Sequence, residues 1–282
     1  MTGKQRARPR TDAFAFVVPE AETRVFSEEA FFTKIIHGVG EECGRAGKQL
    51  LLMLAPTQES YKSIESFVTG GHVDGVIMAS LHGDDALPLA LVEAGIPLVT
   101  SGKPPGTQPI PYIDVDHVTA VHDAVSYLYK SGRVHVATIA GPQDMDAGVG
   151  RLKGYLAAIE DAGEPPIVAY GDFTRESGVQ AMHEIIVGGE PFDAVVAASD
   201  LMAFGAMFLL RQAGMRVPED VAVIGFDDID AARFAEPPLT TIRQPIHDIG
   251  VNLARQVVRL AEGESVDPVL MLPTELIIRK SA

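Results

Sequence analysis

Apolar residues gather along this chain in short unbroken runs: Ala13 to Val18, Leu50 to Leu54, Val73 to Met78, Val134 to Ile139, Asp193 to Ala197 and Val221 to Phe226. Runs of this length without polar alternation suit strands covered on both faces, as in parallel sheets. Between them the apolar positions change to a spacing of three and four: Phe32, Ile35, Ile36, Val39 and Cys43, then Val118, Val121, Val125 and Leu128. The same spacing returns at Val149, Leu152, Leu156 and Ile159, and at Ile246, Ile249, Leu253, Val257 and Leu260. Each set is one buried stripe of a helix. Strand and helix alternate along nearly the whole chain, which predicts an α/β fold of βαβ units wound into two Rossmann-like lobes with open parallel sheets.

The alternation pauses at the proline-rich loop Ser101 to Pro111 and again at Glu236-Pro237-Pro238-Leu239. Both pauses read as crossings between lobes, with a tail helix over 246–262 returning to the first. The expected division is 12–114 with 244–272 as the N-terminal lobe and 115–243 with 273–282 as the C-terminal lobe. Residues 1–11 form a basic linker or remnant. A ligand cleft between the lobes is expected, since the carboxyl ends of open parallel sheets carry binding crevices.

Composition narrows the picture. The 282 residues carry a formal charge of −15, yet Lys4, Arg6, Arg8 and Arg10 stand in the first ten without an acid. Removing these four leaves 19 basic against 38 acidic residues, a body that repels phosphate backbones and should not read duplex DNA by itself. The single cysteine, Cys43, excludes an internal disulfide framework, suits a reducing cytoplasm and is expected in the core. Ala13 to Val18 is too short for a signal peptide core or a membrane span.

No nucleophile elbow, metalloprotease helix or complete phosphate loop is present, so neither catalysis nor a bound cofactor or metal is expected. Gly47-Lys48 follows a helix rather than a strand and reads as a helix cap. Gly148-Val149-Gly150 with Gly154 has one residue too many for a dinucleotide fingerprint. Polar and aromatic residues do cluster just past the predicted strand ends of the second lobe: Arg151, Asp172-Phe173, Ser199-Asp200 and Asp227-Asp228. Carboxylates accept from vicinal hydroxyls, a guanidinium donates from a fixed fork, and an aromatic face covers the C–H side of a sugar ring. Such a set binds a polyol without reacting with it. Ser199 or Asp200 would equally serve as the N-cap of a helix starting near Leu201, Phe173 would equally serve as core, and Asp227, Asp228 and Asp230 lack the glycine and distal glutamate of a calcium loop.

Six segments in order resemble the effector-binding core of the LacI/GalR family of bacterial transcription regulators. They are Val73-Asp74-Gly75-Val76-Ile77, Gly95-Ile96-Pro97-Leu98-Val99, Ala140-Gly141-Pro142 followed by Arg151-Leu152-Lys153-Gly154-Tyr155, Ala198-Ser199-Asp200-Leu201-Met202-Ala203, the run Val217 to Asp228, and Pro237 to Ile242. The resemblance spans about 12–280. It implies a periplasmic-binding-protein-like (type I) fold, a homodimer and a sugar or sugar-like effector that alters operator affinity. Carried over residue by residue, it places ligand contacts at Arg151, Ser199, Asp200, Asp227 and Phe173, with Phe31 and Phe32 as a bordering aromatic pair and Gln244 as a further contact. The family's helix-turn-helix has no counterpart in these residues, so operator DNA is expected as a partner only through such an element, and no membrane partner is expected. A free-standing sugar receptor of a transport or chemotaxis system is the rival reading, and a sugar-converting enzyme a more distant one.

Overall fold

In the computed structural model the described residues are 10–25, 30–83, 85–104 and 106–282. They form two compact units. Among the described residues, one holds 10–25, Phe32–Asp114 and Ile246–Leu270; the other holds 30–31, Val115–Pro245 and Met271–Ala282. Lys4, Arg6 and Arg8 of the basic stretch lie outside the described residues, while Arg10 reaches the Glu262 carboxylate at 3.9 Å.

The first unit contains β1 (Ala13–Val18), α1 (Glu22–Val25), α2 (Ala30–Arg45) from Phe32 onward, β2 (Gln49–Leu54), α3 (Gln58–Thr69), β3 (Gly75–Met78), α4 (Leu87–Glu93), β4 (Leu98–Ser101) and β5 (Tyr112–Val115). The second contains α5 (His117–Lys130), β6 (Val136–Ala140), α6 (Asp146–Ala162), β7 (Ile167–Tyr170), α7 (Arg175–Gly188), β8 (Ala194–Ala197), α8 (Asp200–Gln212), β9 (Ala222–Asp227), a 3-10 turn (Asp230–Arg233) and β10 (Thr240–Arg243). The chain then returns through α9 (Ile246–Ala261) and β11 (Val269–Leu272) and ends on β12 (Glu275–Ile277). The sheets are ordered β11-β5-β4-β3-β1-β2 and β12-β10-β9-β8-β6-β7.

The apolar runs become strands because helices cover both faces. Every residue of β3, β6 and β8 is buried, and β1 pairs in parallel with β2 and β3 while β8 pairs in parallel with β6 and β9. Each unit has its own core, one around Val17, Val76, Met78, Leu91 and Leu98, the other around Ile139, Met182, Val195, Met202, Leu210 and Val223. Cys43 is buried in the first unit, and burial pushes its thiol up to about 11.

One expectation needs correction. The pauses at Ser101 to Pro111 and Glu236 to Leu239 are not crossings between units: the first joins β4 to its neighbour β5, and the second follows the 3-10 turn into β10 beside β9. A helix is missing there because the chain steps directly to the adjacent strand. The divisions fall after Asp114, after Pro245 and after Leu270. The glycines near Arg151 serve packing. A Cβ on Gly154 would lie 2.3 Å from the Val118 carbonyl oxygen and one on Gly148 only 1.9 Å from that of Pro142, so α6 and its surroundings approach backbone to backbone. Gly47 closes α2 with φ +69°, the helix-cap role expected of it.

Candidate ligand site

In the second unit several polar side chains collect at the carboxyl ends of the parallel strands, where a doubly wound sheet opens its crevice. The helix α6 delivers Arg151. Four residues on, and so on the same helix face, Tyr155 is fully buried, donates to the Val136 carbonyl at 2.9 Å and accepts from the Ile167 amide at 2.8 Å. That anchor, which also pushes the phenol up to about 12 through burial, fixes the face that carries Arg151. The guanidinium carbon of Arg151 lies 3.7 Å from the centroid of Phe226 and 5.4 Å from that of Phe173. Its Nη1 donates to the Ala198 carbonyl just past β8, and its Nε points at His117 Nδ1 at 3.4 Å. At 6% exposure the charge is nearly dry, so cation–π contact with two rings contributes more than it would at the surface.

Asp227 closes β9 and faces the guanidinium, with Oδ1 4.0 Å from Nη1 of Arg151. The carboxylate accepts from Gln244 Nε2 at 2.5 Å, and Gln244 follows directly on β10. Three non-glycine residues here have positive φ: Phe173 at +71°, Asp227 at +117° and Asp228 at +54°. Such backbone conformations cost on the order of 1–3 kcal/mol each and cluster where a side chain must be aimed.

Thus the structure brings together Arg151, Phe173, Ser199, Asp200, Asp227 and Gln244, but not in one role. Asp200 is fully buried, and both carboxyl oxygens are committed to structure: Oδ1 accepts from Thr241 Oγ1 and Oδ2 from the Ile229 amide at 2.9 Å. Burial first, then the neighbouring charge of Asp227, raises its pKa well above the usual carboxylate range. It stands behind the site and positions the strand ends, in place of the hydroxyl contact expected of it. Ser199 is the N-cap of α8, accepting from the Met202 amide at 3.2 Å, while its own hydroxyl donates to the Phe173 carbonyl at 3.3 Å. Asp172 binds the amide and hydroxyl of Thr174 at the start of α7. Asp228 accepts from Arg243 at 2.7 Å and from Arg279, which ties the end of β9 to β10 and the chain terminus rather than to a ligand or cation. Phe31 and Phe32 lie on α2, Phe31 half-buried and Phe32 buried.

Two neighbours of Arg151 escape the sequence. His117 and Phe226 look like a helix start and the end of an apolar run, and only the fold sets their rings 5.7 Å apart beside Arg151. The first unit, taken by itself, has a polar group of its own past its strand ends: Glu20, 7% exposed, follows β1, accepts from Ser80 Oγ just past β3 at 2.7 Å and lies 3.8 Å from His82 Nε2. The rule of polar residues past strand ends, applied to the first unit, would have found it.

Comparison with known proteins fits this geometry. Residues 125–282 match a family described as a periplasmic binding protein-like domain. The HTH-type transcriptional regulator CelR of Thermobifida fusca is 44% identical over 96% of this chain and 82% of its own length. The HTH-type transcriptional repressor CytR of Escherichia coli K12 is 33% identical over 90% of this chain and 76% of its own. A solved transcriptional regulator CelR-cellobiose complex superimposes with a TM-score of 0.93 at 43% identity, covering 97% of this chain and 85% of that one.

Proposed function

The chain belongs to the LacI family of transcriptional regulators as an effector-binding core, and from that premise we propose that it reads a cellobiose-like sugar and passes the signal on as a change in operator affinity in the cytoplasm. The Arg151–Asp227 pair carries the reading. At 4.0 Å the two groups are too far apart for a direct hydrogen bond, and one sugar hydroxyl between them would accept from the guanidinium and donate to the carboxylate. The rings of Phe173 and Phe226 hold the guanidinium plane, so its fork is oriented before a ligand arrives, which cuts the entropy cost of binding. Gln244 does the same for Asp227. The solved CelR relative in complex with cellobiose supports a β-linked disaccharide over a monosaccharide. The arrangement binds rather than reacts: Asp200 is engaged on both oxygens, and the relatives are transcriptional regulators. Among the described residues no helix is long and apolar enough to cross a membrane.

Isothermal titration with cellobiose, maltose, glucose and a nucleoside tests this reading. Cellobiose is expected to bind at micromolar Kd or tighter and the others more weakly; preference for the nucleoside, or no heat with any sugar, overturns it.

We further propose that the core works as a symmetric homodimer, as a two-fold operator requires. Support comes from β2, the outer strand of its sheet, where Leu50 to Leu54 remain half-exposed; an apolar strand edge of this kind is a natural pairing surface. Light scattering at micromolar concentration should give twice the 30.1 kDa of one chain. A mass of one chain at that concentration removes the dimer.

A further inference from the structure

We propose that His37, Glu41 and His247 form a binding site for a borderline divalent transition-metal cation of the zinc class, in the first unit and apart from the sugar site. His37 and Glu41 stand four apart on α2, so their side chains rise from one helix face. His247 comes from the first turn of α9, more than two hundred residues away in sequence. Two glycines make the meeting possible. A Cβ on Gly38 would lie 2.2 Å from the His247 carbonyl oxygen, and one on Gly250 would lie 2.3 Å from that of Ile35, so the two helices cross at backbone contact. That crossing sets the His247 ring 5.3 Å from the His37 ring, and His247 Nε2 3.0 Å from Glu41 Oε2. One nitrogen from each histidine and one carboxylate oxygen lie within 4.8 Å of one another.

The donor set suits zinc. Two imidazoles and a carboxylate make a three-ligand set that leaves a fourth position for water, with metal–ligand distances of about 2.0–2.2 Å. Tetrahedral binding at those lengths sets donors roughly 3.4 Å apart, which small side-chain rotations reach from the present spacing. The surroundings also orient the ligands. Asp248 Oδ1 lies 3.4 Å from His247 Nδ1, the carboxylate–imidazole arrangement that fixes the ring so that Nε2 faces the metal. Arg45 takes the other oxygen of Glu41, Oε1, which leaves Oε2 turned to the histidines. The site sits at the surface, with His37 exposed and its two partners half-buried, so a cation enters without unfolding. Bound there, it would clip α9 to α2.

The test is a titration of the tag-free protein with zinc chloride at pH 7.5, read by calorimetry and by thermal melting. One equivalent per chain should bind with micromolar Kd and raise the melting temperature by several degrees at saturation. His37→Gln and His247→Gln should each weaken binding at least tenfold, and Asp248→Ala about tenfold through loss of ring orientation. Without zinc, the exposed His37→Gln variant should melt within a degree of the parent. Zinc binding that survives in the His37→Gln, His247→Gln double variant places the ion on other residues and overturns the proposal, as does no binding below 1 mM in the parent. Sugar titration of the same variants is expected to be unchanged, so failure here leaves the sugar reading intact.

Discussion

Asp227→Ala and Asp227→Gly should both lower sugar affinity by about thirty- to a thousand-fold, yet melt at different temperatures. The affinity loss follows from removing a carboxylate that faces a nearly dry guanidinium: a ligand hydroxyl loses its acceptor and Arg151 its counter-charge, at about 2–4 kcal/mol. The difference in melting follows from the backbone. Asp227 sits at φ +117°, which alanine can occupy only with strain and glycine adopts freely. The glycine variant is therefore expected to be about 1–2 kcal/mol more stable than the alanine variant. Calorimetric titration beside thermal melts of both proteins checks this. Equal stabilities would mean the backbone relaxes and stores no strain; unimpaired binding would remove Asp227 from the site. Arg151→Lys is the companion variant, because it keeps the charge but loses the planar fork that rests on Phe226. Arg151→Ala separates the roles less cleanly, since it also deletes the bond to the Ala198 carbonyl.

Asp228→Ala should strongly destabilise the second unit. The side chain is 1% exposed and holds Arg279 and Arg243; Arg279 also donates to the Leu239 carbonyl at 2.7 Å. Arg243 is solvent-reached and keeps Glu275 at 3.2 Å, but Arg279 is left as a mostly buried charge without its partner, at about 3 kcal/mol, or a fall in melting temperature of about 10 °C for a unit of this size. The network also has a pH signature. Burial alone would raise the Asp228 pKa, but Arg279 and Arg243 override it, and the folded value lies below the ordinary one. The group therefore contributes stability that is fully present above the usual carboxylate pKa of about 3.9 and is lost as pH falls through the lowered folded value. Melting followed from pH 7 to pH 2.5 should show the parent losing its advantage over Asp228→Asn below about pH 4. Parallel curves at every pH would show that Asp228 acts by shape and not by charge.

Much of the fold was legible because its signals are local. A parallel sheet covered on both faces needs unbroken apolar runs, and Ala13–Val18 is a strand with the very bounds its run predicts. The helical stripes of α2, α5, α6 and α9 follow from three-and-four spacing in the same way. The short strands β4, β5 and β10–β12 were harder, since three or four residues carry too little periodicity. The two proline-rich pauses were legible as pauses, but whether a chain without a helix steps to the next strand or to another unit depends on its neighbours in space.

The α/β alternation, the negative body and the polar residues that follow strand ends, Arg151 and Asp227 among them, can be read from the chain alone, because each depends on residue type and near spacing. Which of those polar residues turn toward Arg151 and which hold the scaffold depends on the folded arrangement. Asp200 and Asp227 look alike in sequence, each an aspartate past an apolar run, yet Asp200 is fully buried with both oxygens bound by Thr241 and Ile229, while Asp227 is turned to Arg151. Asp228 finds Arg279 across 51 residues, and His247 finds Glu41 across 206. A buried charge takes its role from its partners, and strand order and helix crossings choose partners that no local pattern can name.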